Sequence, residues 1–174
     1  MTSSLIRATF VAGLALGLTG SAVAQVSSNR VATKTDWSVF VEESPKECWS
    51  VSAPKETVNT KDGEAVAVRR GDILLFVTFR PSSPSGEVSF TGGYPFAGGS
   101  TVELDIGGTK FDLFSEGEWA WSSADDDAKI VAALKAGTSA MISGRSGRGT
   151  RTQDTFSLLG VSAALDEAAK RCAG

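Results

Sequence analysis

The chain has 174 residues, 17 basic against 20 acidic side chains, a formal charge of −3, and no histidine. A mildly acidic balance excludes a general nucleic-acid binder, which needs a clustered basic surface. The missing histidine excludes Ser-His-Asp and Cys-His catalysis, histidine metal sites and histidine pH switching.

The first 24 residues read as an export signal. Arg7 supplies a short basic start, Ala8 to Gly20 is an apolar stretch, and Ala22-Val23-Ala24 is the small-x-small pattern of a cleavage site before Gln25. The apolar stretch is shorter than the about 20 residues that cross a bilayer, so no transmembrane anchor is expected. No cysteine follows the cleavage site, so a lipid anchor is not expected, and no twin arginine marks a folded-export route. Arg7 is the only charge in this segment, so its removal takes the formal charge from −3 to −4. The remaining length fits one domain, 36–174, preceded by a polar, flexible lead-in over 25–35.

From Trp37 the chain alternates. Trp37, Val39 and Val41 share one face of a half-buried strand, and a second run spans Cys48 to Ala53. Asn59 to Glu64 contains Asp62-Gly63, a hairpin signal. Asp72 to Arg80 is apolar on both faces for half its length, which places it centrally; Pro81 and Pro84 end it. Glu87 to Thr91 is a short strand, and Gly92 to Ser100 is a loop by composition. Thr101 to Phe114 is the clearest hairpin, turning on Gly107-Gly108. Glu118 to Ser122 adds a strand with Trp119 and Trp121 on one face. A helix follows: Ser123 precedes Asp126 at capping-box spacing, three aspartates suit the positive helix start, and Gly137 is the stop. Two strands, Ser139 to Ser143 and Asp154 to Leu159, precede a final helix whose apolar stripe is Val161, Leu165, Ala168 and Cys172. Strands with short turns in a chain of this length predict a mainly β fold, an antiparallel β-sandwich with two peripheral α-helices.

Cys48 and Cys172 are the two cysteines. An exported chain with an even count is expected to pair them, the alternative being two free or intermolecular thiols. Their wide separation rules out a CxxC motif. Closing so long a loop removes unfolded-state entropy equivalent to roughly 4–5 kcal/mol.

Candidate chemistry is sparse. Gly144 to Thr150 (GRSGRGT) lacks the lysine and spacing of a phosphate loop and precedes a strand-like run, so it reads as a glycine-rich hairpin turn. Its arginines, Arg145, Arg148 and Arg151, are either solvated or present charge to an anionic partner such as lipid or polysaccharide. Asp125, Asp126 and Asp127 lack the alternating ligands of a calcium loop and read as helix capping. Asp112, Glu116 and Glu118 are a weak candidate for paired hydrolytic carboxylates. Trp119 and Trp121 read as sandwich core rather than as a glycan or peptide platform. Tyr94, in a glycine-proline loop, either packs on Pro95 or marks an interaction tip. No SxxK motif selects a Ser-Lys nucleophile. No catalytic residue, metal site or cofactor is assigned.

Several stretches in order resemble the invasion-associated locus B family of exported bacterial proteins: DWSVFVE (Asp36 to Glu42), PKECW (Pro45 to Trp49), GDILLFVTFRP (Gly71 to Pro81) and GEVSFTGGYPF (Gly86 to Phe96). EWAWS (Glu118 to Ser122), GRSGRGTRTQDTFSLLG (Gly144 to Gly160) and the closing AAKRC (Ala168 to Cys172) complete the set. The resemblance implies an immunoglobulin-like sandwich, periplasmic or surface exposure, and a loose association with host-cell invasion. It brings no catalytic residues to carry over. The expectation is therefore a periplasmic, non-enzymatic binding or envelope-interaction protein with an envelope or host-surface partner and a monomeric state. The alternatives are an envelope glycan or peptide hydrolase and a structural or stress-related envelope protein.

Overall fold

The structure, a computed structural model, describes residues 29–173. The expected export signal lies outside the described residues. Among the described residues twelve strands form one antiparallel sheet, joined by two helices. In chain order the first strands are β1 (Arg30–Lys34), β2 (Trp37–Glu43), β3 (Lys46–Ser52), β4 (Glu56–Lys61), β5 (Glu64–Ala65) and β6 (Leu74–Arg80). They are followed by β7 (Ser83–Thr91), β8 (Thr101–Ile106), β9 (Thr109–Glu116) and β10 (Trp119–Trp121). Helix α1 (Ala124–Ala136), strands β11 (Ser139–Arg145) and β12 (Arg151–Ser157), and helix α2 (Val161–Cys172) complete the domain. The sheet order is β1-β2-β3-β6-β7-β10-β9-β8-β11-β12-β4-β5. The expected mainly β fold with two helices is what forms.

Turn chemistry sets the register. Asp62 and Gly63, both at positive φ, join β4 to β5, and Gly107 and Gly108, also at positive φ, join β8 to β9 with Ile106 opposite Thr109. The expected central strand is β6, paired with β3 on one side and β7 on the other. Residues 30–34, read from sequence as part of a loose lead-in, instead form β1. It pairs along β2 as the edge of the sheet, and its RVATK composition shows little burial to signal a strand.

The sheet folds over on itself around one core. Phe90 of β7 meets Phe156 of β12 edge-on at 6.2 Å, although the two strands stand far apart in the sheet order. The Trp37 indole N–H donates to the Ser157 carbonyl at 3.0 Å, and the Asp36 amide to the Leu159 carbonyl at 3.2 Å. Helix α2 lays Val161, Leu165, Ala168 and Cys172, all buried, against β2, β3 and β6. Cys172 is disulfide-bonded to Cys48 of β3, with their Cα atoms 5.6 Å apart.

Helix α1 is tied down by one of the three aspartates. Ser123 occupies the N-cap position, but its hydroxyl bonds the Asp126 carboxylate rather than a backbone amide, so the expected capping box does not form. Asp127 is buried; it accepts the Val88 amide of β7 at 3.0 Å and the Ser122 hydroxyl. Asp127→Ala would leave that amide buried without an acceptor. It is expected to cost about 1–3 kcal/mol, read as a lower denaturation midpoint at unchanged slope, while Asp127→Asn keeps the acceptor and costs less.

Candidate functional site

The loop between β5 and β6 and the loop after β7 meet backbone to backbone. Gly71 donates its amide to the Gly93 carbonyl at 2.8 Å. Gly93 sits at φ +69, and a Cβ there would stand 2.6 Å from the Gly71 carbonyl oxygen, so only glycine permits the approach. The contact places Arg70 from one loop beside Tyr94 from the other.

Arg70 and Asp154 of β12 form a buried, two-pronged ion pair at 2.7 and 2.6 Å, with side chains 5 % and 0 % exposed. The Arg70 Nε–H also donates to the Gly92 carbonyl at 2.9 Å, and the guanidinium lies 5.0 Å from the centre of the Tyr94 ring. The Tyr94 hydroxyl bonds the Thr152 hydroxyl at 2.6 Å. Burial pushes the Tyr94 pKa above the ordinary phenol value, outweighing the lowering by the Thr152 hydrogen bond and by Arg70, so the hydroxyl stays neutral.

Above this network opens a cavity of about 380 Å³. Tyr94 and Thr152 belong to its floor, Val68 and Pro95 to its apolar wall, and Arg69, Arg148 and Glu118 are its exposed charges. Arg70 is neutralised by Asp154, but among the described residues neither Arg69 nor Arg148 has an acidic partner. The mouth therefore carries two free guanidiniums against one carboxylate.

Of the residues singled out from sequence, the structure brings together Tyr94 and Arg148. Tyr94 is half-buried at the cavity floor, its ring 5.0 Å from Phe96, rather than an exposed tip. Arg148 stands on the turn of the β11–β12 hairpin, which confirms GRSGRGT as a hairpin. Arg145 and Arg151 face each other across that hairpin and line a neighbouring groove with Ser143 and Gln153. Exposed and without acid partners, Arg145 and Arg148 can be replaced by alanine together at a cost within about 0.5 kcal/mol; a thermal melt checks this, and a large shift would mark them as structural.

Of the three carboxylates considered for hydrolysis, Glu118 lines the cavity while Asp112 and Glu116 do not. Among the described residues no cluster of acidic or cysteine side chains could hold a metal ion. Sequence reasoning missed Arg70 and Asp154. The available signal was on β12, where Thr152, Asp154 and Phe156 share the buried face and a charge stands in line with core residues.

Trp119 and Trp121 are not core. The expectation reverses because Ala120, between them, is the residue of β10 that faces inward at 0 % exposure, leaving Trp119 39 % exposed and Trp121 half-buried on the outer face. An alternation of Trp-Ala-Trp fits either orientation, and the register decides it: Ala120 falls beside the buried Phe90 of β7 on the inner face, and Trp121 beside the exposed Phe114 of β9 on the outer one.

Fold and site together define a disulfide-closed antiparallel β-sandwich with a cation-rimmed cavity at one hairpin. The chain belongs to the invasion associated locus B (IalB) protein family, whose profile matches residues 37–169. No curated protein sequence matches it. It is similar in fold to the crystal structure of invasion associated protein B from Bartonella henselae, with a TM-score of 0.52 at 16 % identity, over 79 % of this chain and 94 % of that one.

Proposed function

We propose that this protein is an exported, non-enzymatic binding module of the bacterial envelope, and that its cavity holds an anionic group of the partner. One observation carries the reading: two guanidiniums, Arg69 and Arg148, stand without acid partners at the mouth of a cavity whose floor is held by a buried ion pair. A free guanidinium gains most from carboxylate or phosphate, which it can bind with two parallel hydrogen bonds. The floor offers a neutral Tyr94 hydroxyl already engaged by Thr152, which suits shape and hydrogen bonding rather than proton transfer. Export is supported by the signal-like first 24 residues and by a disulfide, which persists in oxidising compartments. The name of the solved relative, an invasion associated protein, fits a partner at an envelope or host surface.

The test has two arms for two sources of the anion. Disulfide-intact protein is sedimented with phosphatidylglycerol vesicles against phosphatidylcholine vesicles, and passed over polygalacturonate against dextran. Retention by one anionic probe, falling as salt rises and weakened about tenfold in the Arg69→Ala, Arg148→Ala double variant, is expected. Equal retention by the neutral counterparts, or an undiminished double variant, contradicts the reading.

A further inference from the structure

The outer face of the sheet carries a row of aromatic rings that the core does not use. Trp49 of β3 has one face covered by Phe40 of β2, parallel within 4° and 5.5 Å between ring centres. Trp121 of β10 has one face covered by Phe114 of β9, at 5.6 Å and 26°. Between the two indoles run β6 and β7, and there the register sets small hydroxyl residues beside each of them: Thr78 opposite Trp49, and Ser89 opposite Trp121. Trp119 also stacks on Trp121, at 6.2 Å and 21°, so the indole face left open over this low floor is that of Trp49, and Trp121 joins Trp119 and Phe114 in an aromatic wall on the other side. The result is an open trough of about 400 Å³, further lined by Phe76 and Trp119, which pack on each other at 5.6 Å. Three strand spacings of about 4.8 Å put the two indoles roughly 14 Å apart across the strands. One end of the trough is polar: Arg80 is held between Glu47 and Glu87.

We infer that this trough binds a neutral oligosaccharide, with Trp49 stacking on one sugar ring, the Trp119–Trp121 wall packing against another, and Glu47, Glu87, Thr78 and Ser89 hydrogen-bonding their hydroxyls. Four features select this occupant. Indole faces attract the C–H-rich faces of pyranose rings. Two carboxylates and two hydroxyls offer acceptors that an aliphatic chain could not use. Arg80 is outnumbered by its two glutamates, so the polar end disfavours an anionic polymer or membrane. Strands β3, β6, β7 and β10 are paired on both sides, so the face offers no free edge to a peptide strand. The inference is independent of the cation-rimmed cavity, which lies on other residues and takes an anionic group rather than a neutral one.

The experiment titrates the full, disulfide-intact protein with cellohexaose, chitohexaose and maltohexaose, read by tryptophan fluorescence and calorimetry. At least one neutral hexasaccharide is expected to bind saturably with a change in indole emission. Trp49→Ala and Trp121→Ala should each weaken that binding about tenfold. Glu87→Gln keeps the side chain's size and gives up only the half-exposed ion pair with Arg80, which Glu47 still holds, so it should weaken binding severalfold with a nearly unchanged melting temperature and report even if a tryptophan variant misfolds. No binding of any of the three at millimolar concentration overturns the inference. So does binding that survives the trough variants, or a protein dimer in sedimentation that Trp121→Ala dissolves.

Discussion

Asp154→Ala is expected to lower stability by about 3–5 kcal/mol, because it strands the Arg70 guanidinium, 5 % exposed, without its counter-charge. That is a large share of the about 5–15 kcal/mol by which domains are stable. It should appear as a fall in melting temperature of roughly 10 °C or more. The arrangement predicts an asymmetry that a simple contact would not show. Arg70→Met with Asp154→Leu removes both charges and fills the space with apolar atoms, so the double variant should recover much of the loss. If Asp154→Ala melts like the parent protein, the ion pair does not hold the cavity floor. The same variant should also loosen Tyr94, whose ring is braced by Arg70 at 5.0 Å and whose hydroxyl is fixed by Thr152, the strand neighbour of Asp154 on the buried face.

Removing the Cys48–Cys172 disulfide is the second large effect. The bond closes a loop with a sequence separation of 124, and both cysteines are buried. Chain-entropy reasoning assigns such a loop roughly 4–5 kcal/mol, exerted mainly by constraining the unfolded chain. Cys48→Ala with Cys172→Ala is therefore expected to lower the melting temperature strongly while leaving the folded β-sheet spectrum unchanged. In structural terms the bond fastens the end of α2 to β3, so the frayed element should be α2. Hydrogen exchange would show protection falling first in Val161–Cys172. A reduced protein that melts at the temperature of the oxidised one would contradict this.

What could be read in the sequence was local. Asp62-Gly63 and Gly107-Gly108 announce their hairpins because their backbone angles need residues tolerant of positive φ. The α2 stripe places Cys172 inward by helical period alone, and with the even cysteine count that was enough to expect the pairing that forms. What could not be read depends on contacts distant in the chain. Arg70 and Asp154 meet across 84 residues, and nothing near Arg70 marks it as buried. Tyr94 reads from the sequence as a loop aromatic, yet its role as a cavity floor comes from Arg70 and Thr152, both remote. Arg69 is the missed partner of Arg148: it lies in the irregular segment between β5 and β6, where no periodicity assigns a face. The tryptophans of β10 show the ambiguity of a strand that is apolar at every position. Period two separates Trp119 and Trp121 from Ala120, but only the neighbouring strands decide which set turns inward.

The cavity and the trough answer to different ligands, so each can fail alone. For the central claim, that the Arg69–Arg148 cavity receives an anionic group, the most direct measurement is backbone chemical-shift mapping of the disulfide-intact domain during titration with polygalacturonate oligomers. Perturbations confined to Arg69, Gly93, Gly147, Arg148 and Thr150, shrinking with added salt and absent in Arg69→Ala, Arg148→Ala, are the predicted result. Saturable shifts centred on any other surface, or equal shifts in the double variant, would contradict it.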